Sequence, residues 1–348
     1  MIANAKTLST SCWIILLCLN LLAESTSFEQ AMQLFQQHHW AEAAAAFAEC
    51  EKKDPAKTPA SLYEGKAFVN LGQFDEAASA LENYRNANPR SEDAAYLLAY
   101  VRFRQDKPKE SLELFTEAAR LHNPTSDDLK VIGLDYVLLR DYDDAARYLE
   151  EALAADRGNV EARYHLGRVR YQQNRFDSAI AAFEDVLRRE PGSVKAQNNL
   201  GLSFEAKNEV EAALDSYRKA VKLDEGLPVH TDQPYLNLGT LLAKSGHPEE
   251  AISFLARAVQ ITPNSAQTRY QLAKAYFDLN RNDDALQQAQ AAVQFDPQDS
   301  SNHYLLGRIY QRSGKADLAK EQFRLTEQLI HAKSANSDSG MGSGTPPR

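Results

Sequence analysis

The sequence predicts an all-α fold, an α-solenoid of stacked helical hairpins, and two regularities in its 348 residues support this. Small residues recur 34 positions apart, with a single step of 38, and a second series follows the first by twelve positions. The first series is Ala31, Gly65, Ala99, Gly133, Gly167, Gly201, Gly239, Ala273 and Gly307. The second series is Ala43, Ala77, Ser111, Ala145, Ala179, Ala213, Ala251, Ala285 and Ala319. Such a period is typical of helix pairs that stack on one another.

Nine repeats result when each one begins seven residues before the first small residue. Their ranges are 24–57, 58–91, 92–125, 126–159, 160–193, 194–227, 232–265, 266–299 and 300–333. In the repeat 160–193, apolar residues at spacings of three and four predict two helices separated by Asn174-Arg175. Pro191-Gly192 closes this repeat, since proline blocks further helix. We therefore expect one solenoid domain over 26–333.

The small residues have a steric interpretation. We expect Gly167 and Ala179 to face each other across one hairpin, because only small side chains let two helices approach closely. Phe183 then fills the groove that neighbouring helices make. Its equivalents in the other repeats are large in all cases except Ala289.

A carboxylate stands two residues before the second small residue in seven of the nine repeats. These residues are Asp75, Asp143, Asp177, Glu211, Glu249, Asp283 and Asp317. A negative charge in the first turn offsets the positive end of the helix dipole by about 0.3–1 kcal/mol. We interpret these acids as helix-start residues and not as catalytic groups.

The N-terminal segment differs from the repeats. Cys12 to Ala23 is an apolar run of twelve residues after a weakly positive start at Lys6. A helix needs about 20 residues to cross a bilayer, so the run suits the apolar part of a signal peptide. We expect a signal peptide over 1–25 that is cleaved near Thr26. The alternative is an uncleaved hydrophobic helix that anchors the protein in a membrane.

Two further segments interrupt the pattern. The nine residues Gly226–Pro234 contain the four extra residues between repeats six and seven, with two prolines and a glycine that predict a loop. This loop sets a change of curvature, touches a ligand, or is simply a tolerated insertion. Residues 334–348 are small, polar and rich in glycine and proline, which predicts a disordered tail.

The composition excludes several function classes. A net charge of -9 and a pI of about 5.5 argue against general nucleic-acid binding, which needs a cationic surface. Cys50 is the one cysteine outside the N-terminal segment, and we interpret it as a small core residue. The sequence contains no phosphate-binding glycine loop, no zinc-protease motif and no nucleophile elbow. We therefore expect no enzyme activity, no cofactor, no metal and no small-molecule substrate.

The repeat resembles the tetratricopeptide repeat family over roughly residues 26–333. The first repeat departs most, with Ser27 and Gln30 where the family prefers Trp and Leu. The resemblance implies a right-handed superhelix with a concave groove, lined mainly by first helices, that binds partner proteins or peptides. The residues that carry it are Leu166-Gly167, Ala179, Phe183 and Pro191; Leu200-Gly201, Phe204, Ala213, Tyr217 and Ala220; Leu238-Gly239, Ala251, Ala258 and Pro263; Leu306-Gly307, Tyr310, Ala319 and Phe323.

The resemblance also implies which side chains face the groove. Tyr164/Arg168, Tyr270/Lys274 and Tyr304/Arg308 repeat an aromatic–cation pair one helical turn apart. We therefore expect a groove over repeats five to nine that is more cationic than the acidic chain as a whole and suits an extended peptide with acidic groups. The alternative is that the tyrosines pack between helices and the cations are solvated. The full set is Tyr96, Tyr100, Tyr164, Arg168, Tyr171, Lys195, Asn198, Asn199, Tyr270, Lys274, Phe277, Tyr304 and Arg308.

The sequence thus predicts a non-enzymatic scaffold that binds a protein or peptide partner. Together with the N-terminal segment, it predicts an exported protein of the cell envelope or secretory compartment, periplasmic or extracellular. The alternative is an assembly or structural subunit of an envelope complex, attached to the membrane by the uncleaved N-terminal helix.

Overall fold

The computed structural model describes residues 27–53 and 59–340, with side chains described as far as Ser334. Within these residues it contains eighteen helices and no strand, which confirms the all-α prediction. The first helices of the repeats are α1 (Phe28–Gln36), α3 (Ala60–Leu71), α5 (Glu92–Arg104), α7 (Ser126–Leu138), α9 (Val160–Gln172), α11 (Val194–Ala206), α13 (Gln233–Lys244), α15 (Ala266–Asp278) and α17 (Ser300–Arg312). The second helices are α2 (Trp40–Lys53), α4 (Phe74–Ala87), α6 (Pro108–Ala118), α8 (Tyr142–Ala155), α10 (Phe176–Arg189), α12 (Val210–Glu225), α14 (Pro248–Ile261), α16 (Asn282–Phe295) and α18 (Ala316–Gly340).

The chain divides into two compact halves, with the boundary in the sequence between His165 and Leu166 of α9. In the N-terminal half, consecutive helices pack from α1 to α8, and α3, α5 and α7 also contact one another directly. In the C-terminal half, consecutive helices pack from α10 to α18, and α11, α13, α15 and α17 contact one another in turn. Each half therefore aligns its first helices side by side.

The small residues of the first series let a large side chain lie across the helix. A Cβ atom added to Gly201 would lie 2.6 Å from the ring of Tyr217, which is fully buried. A Cβ atom added to Gly167 would meet the ring of Phe183 first, at 2.8 Å. The six pairs of this kind are Gly65–Leu81, Gly133–Leu149, Gly167–Phe183, Gly201–Tyr217, Gly239–Leu255 and Gly307–Phe323.

The second small residue contributes through its backbone. The carbonyl oxygens of Ala77, Ala145 and Ala251 lie 3.1–3.5 Å from the Cβ positions of the glycines opposite them. The two helices approach so closely that a main-chain oxygen of one meets the main chain of the other. Both series are thus needed for close packing, although the bulky residue sixteen positions on makes the tightest contact.

The chain reverses between the two helices of every repeat at a left-handed residue. The positions with φ between 58° and 87° are His38, Gly72, Asp106, Arg140, Asn174, Asn208, Gly246, Asn280 and Gly314. They follow the spacing of the small residues, so the same turn is built nine times with five residue types. Only glycine adopts this conformation without steric cost, and Asn and Asp do so more readily than other residues.

The second helices begin as the acidic residues indicate. Carboxylates occupy the first turn of α4, α8, α10, α12, α14, α16 and α18. At α8, the Asp141 side chain accepts a hydrogen bond of 3.2 Å from the backbone N–H of Asp144. This is an N-cap, which stabilises a helix by satisfying a donor that has no intrahelical partner.

The insertion between repeats six and seven is attached to a buried carboxylate. Asp224, near the end of α12, is completely buried. Its Oδ1 accepts a bond of 2.9 Å from the Thr231 N–H, and its Oδ2 accepts one of 3.2 Å from the Tyr235 hydroxyl. The His230 Nδ1 atom lies 3.0 Å from the same Oδ2. The extra residues therefore form a loop with a defined attachment.

The last helix continues to Gly340, beyond the predicted start of the tail at residue 334, because no proline or glycine interrupts 316–339. The predicted signal peptide over 1–25 and the final residues 341–348 lie outside the described residues. In the described part of the chain, no helix combines the length and apolar character that a membrane crossing requires.

Candidate functional site

A cleft of about 820 Å³ opens along the first helices of the N-terminal half. We call it the α5–α7 cleft, because α5 and α7 supply most of its lining, with Lys66 of α3 and Glu161 and His165 of α9 at its ends. We call its apolar and aromatic lining the floor, which comprises Tyr96, Leu97, Tyr100 and Phe103 of α5 together with Val131 and Leu134 of α7. The direct packing of α3, α5 and α7 brings these faces together.

Tyr96 is held in place at the floor. Its hydroxyl donates a hydrogen bond of 2.6 Å to the backbone oxygen of His122, and its ring lies 6.0 Å from that of Phe115. Burial raises the pKa of the Tyr96 hydroxyl, and the negative charges of Asp128 and Glu92 raise it further. The hydroxyl is therefore a neutral and fixed donor, and the residue as a whole is half-buried.

Tyr100 lies one helical turn further along α5. Its hydroxyl oxygen accepts a hydrogen bond of 2.7 Å from Arg104, and its ring lies 6.4 Å from that of Phe103. The Arg104 guanidinium also stacks on Phe74 at 4.3 Å from the ring centroid. This wall of the cleft thus already contains an arginine between aromatic rings.

Charged side chains surround this apolar floor, and they differ in how far they are exposed to solvent. The Lys130 ammonium lies 2.9 Å from Asp127 and 2.7 Å from Glu161. The lysine side chain is 14% exposed, whereas those of Asp127 and Glu161 are 76% and 64% exposed. Lys66 and Asp93, 3.4 Å apart, repeat this order with 29% and 63% exposure. The two lysines are therefore covered and the carboxylates that they contact face solvent, whereas Arg104, the third cation of the lining, is exposed.

The protonation of these groups follows their contacts. Burial lowers the pKa of Lys130, but hydrogen bonds to Glu161 and Asp127 together raise it above its ordinary value. The hydrogen bond from Lys130 lowers the pKa of Asp127. The ion pair is consequently charged on both sides throughout the neutral range.

The charges of the lining do not balance. Three cations, Lys66, Arg104 and Lys130, face the five carboxylates Glu92, Asp93, Asp127, Asp128 and Glu161. The cleft therefore has an excess of two negative charges around an aromatic floor. Within the ranges that the structure describes, no group of histidine, cysteine, aspartate and glutamate is arranged to hold a metal ion.

The predicted site residues of the N-terminal half lie in or beside this cleft. Tyr96 and Tyr100 are part of its floor. Tyr164 is buried, and its ring makes an edge contact of 5.4 Å with His165, which lines the cleft. Of these three predicted tyrosines, Tyr96 and Tyr100 line the cleft, and Tyr164 contacts the lining residue His165.

Phe277 of the C-terminal half is buried between two arginines. The Arg308 guanidinium lies 4.9 Å and the Arg312 guanidinium 3.4 Å from its ring centroid. Arg308 thus stacks on the preceding repeat instead of on Tyr304 of its own helix. Tyr304 is exposed and tilts against Phe323 at 5.9 Å.

The other predicted residues take several environments. Asn198 is buried and accepts a bond of 2.9 Å from the Asn237 amide, while the Lys195 carbonyl accepts one of 2.7 Å from Asn199. Tyr171, Tyr270 and Lys274 are half-buried, and Arg168 and Lys195 are exposed. Burial raises the pKa of Tyr270. A cationic groove over repeats five to nine stays a prediction.

Sequence reasoning missed the charged walls of the cleft. Asp93, Asp127 and Glu161 stand 34 residues apart, each at the second position of its repeat. That position belongs to the groove-facing set of the first helix, so this acidic row was detectable from the sequence. Lys66 and Lys130 occupy the ninth and fifth positions of their repeats, and their partners could not be inferred from spacing alone.

Sequence models of the tetratricopeptide repeat match residues 62–124, 131–185, 166–228, 242–309 and 300–325. The chain belongs to the tetratricopeptide repeat family. No curated protein matches it in sequence. The resemblance found in the repeat pattern is thereby confirmed, and the tetratricopeptide fold indicates a scaffold for protein–protein interaction.

Two solved structures show the same fold. The crystal structure of the APC/C hetero-tetramer Cut9–Hcn1 is 14% identical, with a TM-score of 0.58 over 80% of this tetratricopeptide chain. Yeast Tom70 is 20% identical, with a TM-score of 0.55 over 85% of the chain. The chain spans 54% of the first and 62% of the second. At these identities the likeness concerns the fold alone.

Proposed function

We propose that this tetratricopeptide protein is a non-enzymatic scaffold that binds an extended segment of a partner protein in the α5–α7 cleft. The observation that supports it best is the cleft itself, a concave site of about 820 Å³ with an aromatic floor. Aromatic side chains give large contact area at low conformational cost and dominate many interfaces. Ligand sites are typically concave, apolar in the floor and supplied with a few polar groups.

A variant with Tyr100→Ala and Phe103→Ala tests this function. Both side chains lie on the floor and neither is fully buried, so the hairpin keeps its core. Partners are captured from the source cells with the wild-type protein, identified by mass spectrometry and purified. We expect the floor variant to bind the purified partner at least tenfold more weakly, an order-of-magnitude expectation for losing two central aromatic contacts.

A matched control carries Tyr304→Ala and Arg308→Ala, which remove predicted groove residues of the C-terminal half. Circular dichroism melting of all proteins checks that the folds are intact. Equal binding by the floor variant and the wild type rejects the cleft as the partner site. Loss of binding in the control alone transfers the site to the C-terminal half, where the sequence predicted it.

We further propose that the protein is exported and that residues 1–25 are removed. The support is the short apolar run from Cys12 to Ala23 with a small residue before the expected cleavage point. Intact mass of the protein from its native compartment decides the matter. A mass that includes residues 1–25, together with release by detergent only, favours the membrane-anchored subunit instead.

A further inference from the structure

We propose that the α5–α7 cleft binds a cationic segment, an extended peptide rich in arginine, in place of the acidic segment that the sequence predicts. This rests on the proposed function and specifies the partner of the same site. The observation that supports it is that the carboxylates paired with the two lysines are exposed, while the lysines themselves are covered, around an aromatic floor.

Four of the five carboxylates of the cleft are exposed, against one exposed cation, Arg104. Asp93, Asp127 and Glu161 are each more than 60% exposed, whereas the lysines that they contact are less than 30% exposed. Glu92, at the first position of α5, is exposed as well. An arriving peptide therefore encounters a negative rim, and opposite charges steer and orient association.

The lysines are poorly available to an acidic ligand. Lys130 is engaged by two carboxylates at 2.9 and 2.7 Å, so an incoming carboxylate has to displace one of them. It also approaches Asp127 and Glu161 themselves, and like charges at close range are unfavourable. A cation, in contrast, gains from the same carboxylates without breaking the ion pair.

The floor suits a guanidinium group in particular. Tyr96, Tyr100 and Phe103 offer aromatic rings within the negative rim. A cation over the face of such a ring is attracted by the ring's electrons, and arginine makes this contact more often than lysine. Arg104 already adopts the arrangement in this wall, with its guanidinium on Phe74 and its N–H donated to the Tyr100 hydroxyl.

Fluorescence anisotropy with two labelled octapeptides tests the proposal. One alternates arginine with glycine and the other alternates glutamate with glycine, so they differ in charge at equal length. We expect the arginine peptide to bind the full protein and the glutamate peptide to bind at least tenfold more weakly. The affinity should fall as salt is added, because exposed charges are screened.

The overall charge of -9 attracts any cation, so the site requires a matched pair of variants. The cleft variant carries Glu92→Gln and Glu161→Gln, and the control carries Glu184→Gln and Glu211→Gln, exposed residues of the C-terminal half. Both change the net charge by the same amount. We expect about three- to tenfold weaker binding of the arginine peptide by the cleft variant and little change in the control.

Lys130→Gln tests whether the cleft prefers a cationic or an acidic peptide, because the two assignments predict opposite changes in the affinity for the arginine peptide. It frees Asp127 and Glu161, which are exposed and tolerate loss of their partner. We expect about two- to fivefold tighter binding of the arginine peptide. Weaker binding by this variant, or an equal loss in the cleft variant and the control, overturns the proposal.

The outcomes also distinguish this proposal from the scaffold function. If the glutamate peptide binds tightly and Tyr100→Ala with Phe103→Ala weakens it, the cationic assignment is wrong and the cleft remains the partner site. If neither peptide binds, the cationic assignment is equally wrong, and partner capture still tests the scaffold function by itself.

Discussion

The Ser111 hydroxyl oxygen lies 2.6 Å from Oδ2 of Asp135 and 2.9 Å from the backbone oxygen of Ala99, all inside the N-terminal half. A hydroxyl has one proton to donate, so both contacts are hydrogen bonds only when Asp135 carries a proton of its own. Burial raises the pKa of Asp135 to about 7, although the Ser111 hydrogen bond acts to lower it. The other oxygen, Oδ1, has no hydrogen-bond partner. A neutral carboxyl group explains this arrangement.

The pair predicts a stability that falls as pH rises. An unfolded aspartate titrates near 3.8 and this folded one near 7, so between these values the folded state binds more protons. The free energy of unfolding therefore decreases from about pH 4 to about pH 7 and is level above that. Three pKa units correspond to roughly 4 kcal/mol. Urea unfolding between pH 4 and 9 measures the slope.

Asp135→Val isolates the contribution of this one group. Val101 and Val169 occupy the equivalent position in the neighbouring repeats, and both are buried. We expect the variant to lose this part of the pH slope and to exceed the wild type in stability above pH 7. Ser111→Ala, the control, keeps the buried carboxyl group and should therefore keep the falling pH slope. Identical pH profiles for Asp135→Val and the wild type contradict the assignment.

Gly201→Ala tests the close contact between the two helices of one repeat. The added methyl would lie 2.6 Å from the Tyr217 ring, which is completely buried and has no room to move. Alanine improves helix propensity by about 1 kcal/mol, but overpacking of this kind costs about 1–3 kcal/mol. We expect a net loss of up to about 2 kcal/mol in urea unfolding. Gly192→Ala meets nothing within 4 Å and serves as the neutral control.

Arg140→Gly tests the left-handed turn between α7 and α8. Arg140 has φ of 61°, a conformation that costs a residue with a side chain about 1–2 kcal/mol. Glycine removes this cost but gives the unfolded chain more freedom, so we expect a net gain of about 0.5–1 kcal/mol. Asn208→Gly, at the same φ of 61°, should gain less, since asparagine tolerates this conformation. Equal gains at both positions would show that backbone strain is not the cause.

The sequence predicts the helix pairs because their packing depends on residue size at a fixed spacing, as Gly201 and Tyr217 illustrate. It predicts Tyr96 and Tyr100 because first-helix positions face a common side. The ion pairs of Lys130 depend instead on which rotamer a long side chain takes between two repeats. Arg140 shows a further limit, since its left-handed backbone follows from the repeat spacing and not from its own residue type.

The attachment of the inserted loop depends on Asp224. Its removal in Asp224→Ala leaves the Thr231 N–H and the Tyr235 hydroxyl without their acceptor, and an unsatisfied buried donor costs about 1–3 kcal/mol. We expect a loss of about 2–4 kcal/mol in urea unfolding. The loop should also become a substrate for thermolysin, because Leu227 and Val229 are already exposed and only the attachment restrains the backbone around them.

Tyr235→Phe is the matched control for Asp224→Ala. It removes one donor and keeps the carboxylate with Thr231 and His230, so it should cost about 1 kcal/mol and leave the loop resistant to thermolysin. Asp224→Asn keeps one acceptor oxygen and should lie between the two. If all three variants are cleaved at the wild-type rate, the buried carboxylate does not hold the loop, and local packing around residues 226–232 is sufficient.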